Sequence, residues 1–316
     1  MLDLLSDILT RLDLRGTLYF RTSFTEPWGV QVPAFRNVAR FHYVHRGECV
    51  VRVDGEGEEC RLAQGDLVLV PHGRAHTLTC RHSDAADALP LDDLIARSGW
   101  DGRGALVFGG PEPALATQLI CGHFAFAPGA RHMLFDRLPP QIVVADYGAE
   151  SGAWLEATLR VIGAEAGGAR LGGDLIALKM SEAIFAQALR SFIEQQKHQS
   201  QGLAGFADPH LTRALAAVHR APAADWTVAA LAQEAGMSRT AFAQAFAAKL
   251  DVTPMQYVTA WRMQLARAAL AEQGVSVAEV AERAGYASES AFNRAFRKEV
   301  GMPPAAYRQA ARAQSA

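Results

Sequence analysis

The chain has 316 residues, of which 50% are hydrophobic and 20% are charged, and its formal net charge is −2. This length exceeds the usual ceiling for a single hydrophobic core, so two domains are expected. No apolar run approaches the ~20 residues that cross a bilayer, and the four cysteines form no Cys-x-x-Cys pair. The composition argues against a membrane protein and a disulfide-stabilised secreted protein, and it favours a globular cytoplasmic chain.

The first predicted element is an amphipathic helix at Met1–Arg15, which lacks the basic opening of a signal peptide. From residue 16 to about 145, short apolar or alternating runs separated by Gly-containing turns predict strands. Within this stretch, Gly65–His76 contains a glycine, five residues, Pro-x-Gly and a histidine three positions later. This segment resembles the second motif of the cupin superfamily. The resemblance implies a cupin-like β-barrel with His76 pointing into its mouth.

In catalytic cupins, the histidine at the position of His76 is a metal ligand, joined by a first motif of two histidines and a glutamate. The corresponding region here, His42–Glu48, departs from that spacing. His42 and His45 would point to opposite faces of a strand, so both cannot be barrel ligands without a bulge. A zinc site remains one interpretation, because His and Cys ligands suit a tetrahedral Zn²⁺. The residues considered as ligands are His42, His72, His76, Cys121 and His123.

Two other interpretations of the same residues stay open. The histidines, His42 and His76 above all, could be hydrogen-bonded side chains that line the pocket of a small-molecule effector. Alternatively, the domain could sense redox conditions through a thiolate, for which Cys80 is the candidate because Arg81 and His82 follow it.

The middle of the chain predicts a lid and a helical segment. Residues 83–113, rich in Asp, Ala, Gly and Pro, predict a long loop over the barrel mouth, with a short amphipathic piece at 91–97. This loop is either a lid that responds to ligand or a disordered insert without a regulatory role. Residues 152–164 and 173–196 predict two amphipathic helices. The second has a wide apolar stripe that either packs on the barrel or pairs with its counterpart in a homodimer. The stripe consists of Leu175, Ile176, Leu178, Ala183, Ile184, Phe185, Leu189 and Phe192.

The C-terminal part contains an internal repeat. The run that begins at Leu231 resembles the run that begins at Val280, with an offset of 49 to 50 residues. Each copy predicts a helix, a tight turn at a glycine, and a second helix that buries two phenylalanines four residues apart. A long helix from Pro254 to about Gln273 joins the copies, which therefore form a duplicated helix-turn-helix unit.

The second helix of each copy leaves a polar face toward solvent. Its side chains are of the types that reach base edges and phosphates from the major groove, so we predict that this face contacts double-stranded DNA. From residue 209 onward the chain has 12 Lys and Arg against 8 Asp and Glu, while the remainder carries a net charge of −6. The predicted contact residues are Arg239, Thr240, Gln244 and Lys249 in the first copy, and Glu289, Ser290, Asn293, Arg294, Arg297 and Lys298 in the second.

On residues 284–298, and on the ending Gly-Met-Pro-Pro-x-x-Tyr-Arg at 301–308, the chain resembles the AraC/XylS family of transcription regulators. The resemblance implies that both recognition helices enter successive major grooves. The first copy departs from the family pattern at Gln244 and at residues 247–248, where basic residues are common, which predicts a weaker grip on phosphate.

Together these patterns predict an α+β chain. A cupin-like sensor domain at 1–150 precedes a helical packing or dimerisation segment at 151–198, a linker at 199–207 and an AraC-like double helix-turn-helix domain at 208–312. The predicted function is a DNA-binding transcription regulator that responds to a small molecule, metal or redox signal and forms a homodimer. The alternative is a cupin metalloenzyme fused to a DNA-binding domain. The incomplete first motif argues against it, so we predict no enzymatic activity.

Overall fold

The computed structural model describes residues 3–55, 59–102, 104–110, 116–127, 130, 132–144, 157–158, 161–162, 165, 171–195, 202–272 and 274–315. The chain folds into two compact units. One contains residues 14–126 and 138–191, and the other contains residues 1–13, 127–137 and 192–316. After the families that their sequences resemble, we call the first the cupin unit and the second the DNA-binding unit.

Strands dominate the cupin unit and form two sheets. The first sheet has the order β11-β6-β3-β10-β1-β9, and the second has the order β5-β4-β7-β2-β8. The strands are β1 (Arg15–Thr25), β2 (Gly29–Val32), β3 (Val38–Arg46), β4 (Glu48–Val53), β5 (Cys60–Ala63), β6 (Leu67–Val70), β7 (His76–Thr79), β8 (Leu89–Pro90), β9 (Ala105–Gly109), β10 (Gln118–Ala125) and β11 (Ile142–Val144).

Apolar residues from both sheets form one core, which is how a β-sandwich buries its inner faces. Val44 and Val68 contribute from the first sheet, and Val51 and Leu78 from the second. The two sheets are hydrogen-bonded separately. The predicted β-rich domain is therefore confirmed in the form of a jelly-roll sandwich.

The first sheet is also buried on its outer face, by a long helix that we call α4 (Gly173–Gln195). Phe41 of β3 stacks on Phe124 of β10 with ring centroids 5.2 Å apart, and Phe124 lies 4.4 Å from Phe185 of this helix. Packing on both faces explains why β3 is buried from Ala39 to Val44, on alternate residues of either face. At Phe185, the apolar stripe of α4 therefore packs on the sheet.

Two residues of the predicted stripe do not take part in that packing. Leu175 and Ile176 are 60% and 44% exposed. Pairing of this stripe with its counterpart in a homodimer stays a prediction. The helix predicted at 152–164 lies mostly outside the described residues.

The long loop predicted at 83–113 is wrong for much of its length. The segment contains β8, helix α2 (Leu91–Ser98) and β9, which pairs in parallel with β1. The short amphipathic piece at 91–97 is confirmed as α2, and Leu94 is completely buried in the sandwich core. Apolar anchoring therefore makes this segment part of the fold.

Helices dominate the DNA-binding unit. They are α1 (Leu4–Arg11), α3 (Met133–Asp136), α5 (Pro209–Arg220), α6 (Val228–Ala235), α7 (Arg239–Leu250), α8 (Pro254–Ala271), α9 (Val277–Arg283), α10 (Glu289–Val300) and α11 (Pro304–Ser315). None of the helices within the described ranges has the length and hydropathy needed to cross a membrane.

The compact units do not follow the boundaries expected from the sequence. The amphipathic helix α1 buries Ile8 and Leu12 and packs against α5, so it belongs with the DNA-binding unit. The described part of the predicted linker, from residue 202, packs in the same unit, because Leu203, Ala204 and Phe206 are buried. Apolar burial thus assigns both segments to the C-terminal helices.

Candidate DNA-binding surface and sensor site

Local capping residues set the two helix-turn-helix units. In the first unit, Thr227 accepts a hydrogen bond from the Ala230 amide and Ser238 accepts one from the Ala241 amide. Gly236 ends α6 with a φ of 67°, the left-handed conformation that favours glycine. These three residues confirm the predicted helix, turn and helix.

The second unit repeats the arrangement around Gly285. This glycine has a φ of 75°, and a Cβ there would lie 2.6 Å from the Ala223 carbonyl oxygen, so both conformation and space require glycine. Ser276 caps α9 by accepting a hydrogen bond from the Glu279 amide. The Glu279 carboxylate accepts a 2.6 Å bond from Arg283. A full capping box occurs at Thr253, which starts α8.

Equivalent phenylalanines hold the two second helices in place. Phe242 and Phe246 of α7 have ring centroids 5.4 Å apart, and Phe292 and Phe296 of α10 have centroids 5.5 Å apart. All four side chains are fully buried. The opposite faces of α7 and α10 are thereby directed away from these cores.

Most of the predicted DNA-contacting side chains lie on those outward faces. Arg239, Thr240 and Gln244 of α7 are exposed, and Asn293 of α10 is half-buried. Lys249 is half-buried and pairs with Asp208, the cap of α5, so its charge is engaged within the unit. Contact with DNA stays a prediction for each of these residues. The exposed set on α10 is Glu289, Ser290, Arg294, Arg297 and Lys298.

Helix α8 connects the two helix-turn-helix units, and hydrogen bonds from its Arg262 side chain hold it in place. Its 18 residues span about 27 Å at 1.5 Å per residue. The Arg262 side chain donates to the carbonyl oxygens of Pro222 and Ala224 at 2.7 and 2.8 Å. Because these bonds tie α8 to the loop before α6, the spacing of the two second helices is set by the fold.

The sensor residues meet inside the cupin unit as a hydrogen-bonded chain. His42 of β3 faces Cys121, its direct neighbour on β10, with 3.1 Å between Nδ1 and Sγ. On its other side, His42 Nε2 lies 2.8 Å from Nε2 of His76, on β7 of the opposite sheet. His76 Nδ1 lies 2.9 Å from the Arg74 carbonyl oxygen.

The carbonyl of Arg74 fixes the direction of this chain. A carbonyl only accepts, so His76 donates from Nδ1 and accepts at Nε2. His42 then donates from Nε2 and accepts at Nδ1, where the Cys121 thiol is the donor. Every member of the chain is thus satisfied in its neutral form.

Burial keeps these groups neutral. It lowers the pKa of His76 to about 4. Burial also holds the pKa of His42 well below 6.5, and electrostatic repulsion of a charged His42 by His76 and Arg40 adds to this effect. Burial also raises the pKa of the Cys121 thiol to about 12. Arg40 opposes that shift, and its guanidinium stays charged.

The structure brings together three of the five residues considered for zinc. His42, His76 and Cys121 meet, whereas His72 Nε2 lies 2.9 Å from the Leu138 carbonyl oxygen. His123 follows on β10 opposite Arg40 and is half-buried. Among the described residues, no three His, Cys, Asp or Glu side chains are arranged to hold one metal ion. As arranged, the set does not fit a tetrahedral zinc ion, because the His42 ring separates Cys121 from His76.

Three of the four thiols are buried, and Cys60 is half-buried. Cys80, the candidate for redox sensing, is completely buried, and its Sγ lies 2.9 Å from the Ser83 hydroxyl. Cys49 is also buried, and burial raises its pKa. Neither has the accessible thiolate that the redox interpretation requires.

Comparison with known proteins places these two units in a family. Residues 3–194 match the family described as Cupin, and residues 231–310 match the family described as Helix-turn-helix domain. An AraC-like transcription regulator of Streptomyces lividans is 37% identical over 318 residues, which cover 98% of each chain. The chain belongs to the AraC-like transcription regulators.

More distant relatives and a solved structure extend the comparison. The regulator AlkR of Acinetobacter baylyi is 28% identical, and the RCS-specific activator RclR of Escherichia coli is 27% identical. Each match covers 98% of this chain and 99% of the relative. The DNA-binding domain of AdpA, solved in complex with a target DNA, is 34% identical and covers 34% of this chain and 96% of its own, with a TM-score of 0.32.

As an AraC-like regulator, the chain binds DNA through its helix-turn-helix domain.

The sequence did not indicate Arg40 as a member of the sensor site. Arg40 is 3% exposed and lines a cavity of about 30 Å³ with His42 and Cys121. The available signal was its position two residues before His42, because alternate residues of a strand share a face.

Proposed function

We propose that this AraC-like regulator senses a small carboxylate in the cupin unit and adjusts DNA binding in response. The observation that carries the proposal is the buried arginine beside the cavity. Arg40 is charged at every physiological pH, while His42, His76 and Cys121 are held neutral, so Arg40 is the charged residue of the described cavity wall. An anionic group complements that charge, and a guanidinium binds carboxylates through paired hydrogen bonds.

The rest of the cavity wall favours an apolar tail. Phe24, Val30 and Leu119 line it, and so does Leu91 at the start of α2. A volume of about 30 Å³ holds only about two water-sized groups, which matches a carboxylate head. A longer tail would need Leu91 to move. Helix α2 would then take the role that was predicted for the lid.

A thermal unfolding experiment tests the proposed ligand class. Sodium butyrate should raise the midpoint of unfolding of the full chain relative to sodium chloride at the same ionic strength, because a ligand that binds only the folded state stabilises it. The Arg40→Met chain should lose this response. The midpoint of the Arg40→Met chain without carboxylate is the baseline for this comparison.

The contrary results are equally clear. An equal response of the wild-type and Arg40→Met chains would refute the role of Arg40. If butyrate, hexanoate and octanoate all failed to shift the wild-type midpoint, the carboxylate proposal would be wrong. An Arg61→Met chain, altered at an exposed position of β5, is the matched control and should respond like wild type.

Zinc is a second candidate signal, because His42, His76 and Cys121 meet and offer nitrogen and sulfur ligands. Since the set does not fit a zinc ion as arranged, binding would require the His42 ring to turn. If it does, the Cys121→Ser chain should lose about one equivalent of zinc, whereas the Cys49→Ser chain should retain it. Elemental analysis after dialysis against zinc measures this difference. Retention of a full equivalent by Cys121→Ser would exclude these ligands, and a wild-type chain that takes up no zinc would exclude the site.

We also propose that the regulator works as a cytoplasmic homodimer without catalytic activity. The full-length relatives named above are transcription regulators, which supports a non-catalytic cupin. The exposed side chains of Leu175 and Ile176 on α4 offer an apolar surface for a second copy. Sedimentation of the wild-type and Leu175→Glu chains tests the dimer, since the charge should produce monomers. Turnover of a small substrate by the purified chain would contradict the non-catalytic role.

A further inference from the structure

Four polar side chains form a buried chain of hydrogen bonds inside the DNA-binding unit. Asp7 Oδ2 lies 2.8 Å from His219 Nδ1, and His219 Nε2 lies 2.7 Å from the Tyr257 hydroxyl. The same hydroxyl lies 3.3 Å from His132 Nε2. His132, His219 and Tyr257 are each at most 4% exposed. We call these four residues the histidine latch.

The direction of every bond in the latch is determined. The Leu134 amide donates to His132 Nδ1 at 3.1 Å, so His132 carries its proton on Nε2 and donates to Tyr257. Tyr257 then donates to His219 Nε2, and His219 donates from Nδ1 to the Asp7 carboxylate. Both histidines must be neutral for this arrangement. A second proton on His132 would set a donor against the Leu134 amide and break that bond, and one on His219 would force the Tyr257 hydroxyl to change from donor to acceptor.

The four residues come from four separate segments. Asp7 lies on α1, His132 immediately before α3, His219 on α5 and Tyr257 on α8. Trp261, one turn further along α8, stacks on the His219 ring with centroids 3.9 Å apart and meets the His132 ring at 5.3 Å. We call residues 132–136, which are His132 and α3, the His132 segment. The latch therefore joins α1 and the His132 segment to α5 and α8.

The two latched segments continue directly into the cupin unit along the chain. Helix α1 precedes β1, and the His132 segment follows β10, which carries Cys121 eleven residues before His132. Strands β1 and β10 are paired neighbours in the six-stranded sheet. The latch thus holds the segment just before β1 and the segment just after β10.

We propose that the histidine latch is an acid-sensitive switch, which holds α1 and the His132 segment on the DNA-binding helices near neutral pH and releases them when its histidines take up protons. The proposal goes beyond effector sensing and does not depend on any ligand.

Burial supplies the sign of the response. It holds the pKa of His132 well below 6.5, and it lowers the pKa of His219 in spite of the opposing effect of the bond that His219 donates to Asp7. A histidine with a lowered folded pKa stabilises the closed latch fully above pH 6.5. This contribution falls as the pH drops below that value, because the released histidine binds a proton more readily. Burial raises the pKa of Tyr257 well above 10. Its hydroxyl therefore keeps the proton that it donates to His219 up to that pH.

Several charged groups surround the two histidines. Arg11 joins Asp7 on α1, where the two form an ion pair at 2.9 Å, and Arg11 adds to the lowering of the His219 pKa. Around His132, the cavity wall includes Asp136 of its own segment, Arg267 of α8 and Glu299 of α10. This wall carries both acidic and basic side chains. We therefore expect the pH response of the latch to come from His132 and His219, which are both buried.

Amide hydrogen exchange of the full chain between pH 7.5 and 5.5 tests the latch. After correction for intrinsic exchange, local opening of α1 should increase by up to about tenfold per histidine over this range. The buried amides of α7 and α10 should change much less. In the His132→Asn chain, the asparagine oxygen can still accept from the Leu134 amide, and the pH dependence of α1 should be reduced. His219→Gln should reduce it as well.

Two controls keep the test decisive. His210→Gln removes a histidine on α5 outside the latch and should leave the pH dependence of α1 unchanged. Tyr257→Phe keeps the ring but breaks the chain, so it should open α1 more at every pH. The proposal is overturned if α1 opens independently of pH, if the two histidine variants respond like wild type, or if α1, α7 and α10 all open together.

Discussion

Phe292→Ala and Phe242→Ala are each expected to lower the free energy of unfolding of the DNA-binding unit by about 3–5 kcal/mol. Both side chains are completely enclosed, and each anchors the second helix of its helix-turn-helix unit. Truncation removes a large apolar contact and leaves a cavity that the surrounding helices fill only partly. Since domains are stable by about 5–15 kcal/mol, either change removes a large share of the total.

Denaturant unfolding monitored by circular dichroism measures this loss. Phe292 packs with Phe296 and Tyr286, and Phe242 with Phe246, so the repeat predicts similar losses at the two positions. Met302→Ala, at an exposed site just after α10, is the control and should change stability by less than about 0.5 kcal/mol. A loss below about 1 kcal/mol at either phenylalanine would contradict the proposed core of that unit.

Arg294→Ala is expected to weaken binding to a selected duplex by about 1–3 kcal/mol if Arg294 contacts a base. The side chain lies on the exposed face of α10, opposite the buried phenylalanines. Arg239→Ala, on the corresponding face of α7, should have a comparable effect. Because the operator is unknown, the duplex would be selected from a random library with the wild-type chain.

The salt dependence of binding distinguishes the two kinds of contact. Loss of a base contact should relax sequence preference, whereas loss of a phosphate contact should weaken binding to all sequences and reduce the salt slope by about one. Lys249→Ala should have a smaller effect than Arg294→Ala, because Asp208 already pairs with Lys249. Arg61→Ala in the cupin unit serves as the control. Unchanged binding in both arginine variants would show that the DNA-facing sides are misassigned.

Much of the DNA-binding unit could be predicted because its signals are local. Thr227, Ser238 and Asp208 cap helices through bonds to amides at most three residues away. Such bonds depend on residue type and spacing, which the sequence displays directly. The duplication added a second reading of the same pattern. The cupin motif worked similarly, since it predicted a turn followed by an inward-facing His76.

The failures arose where contacts join distant parts of the chain. The loop prediction at 83–113 missed β9, because its strand identity depends on pairing with β1 some 84 residues earlier. The linker prediction missed the burial of Leu203 and Phe206, which requires a partner surface made by other helices. Composition alone indicated a polar, flexible segment there.

Two helix-turn-helix units behind a cupin-like domain could be predicted from the sequence, because capping, turns and helical periodicity are properties of short segments. Which chemistry-bearing residues meet became known from the three-dimensional contacts. His42 and His76 come from opposite sheets, and Arg40 reaches the same cavity. Asp7 meets His219 across 212 residues of chain. Contacts of this kind depend on strand register and helix packing, which are set by burial of the whole core and leave no short-range pattern.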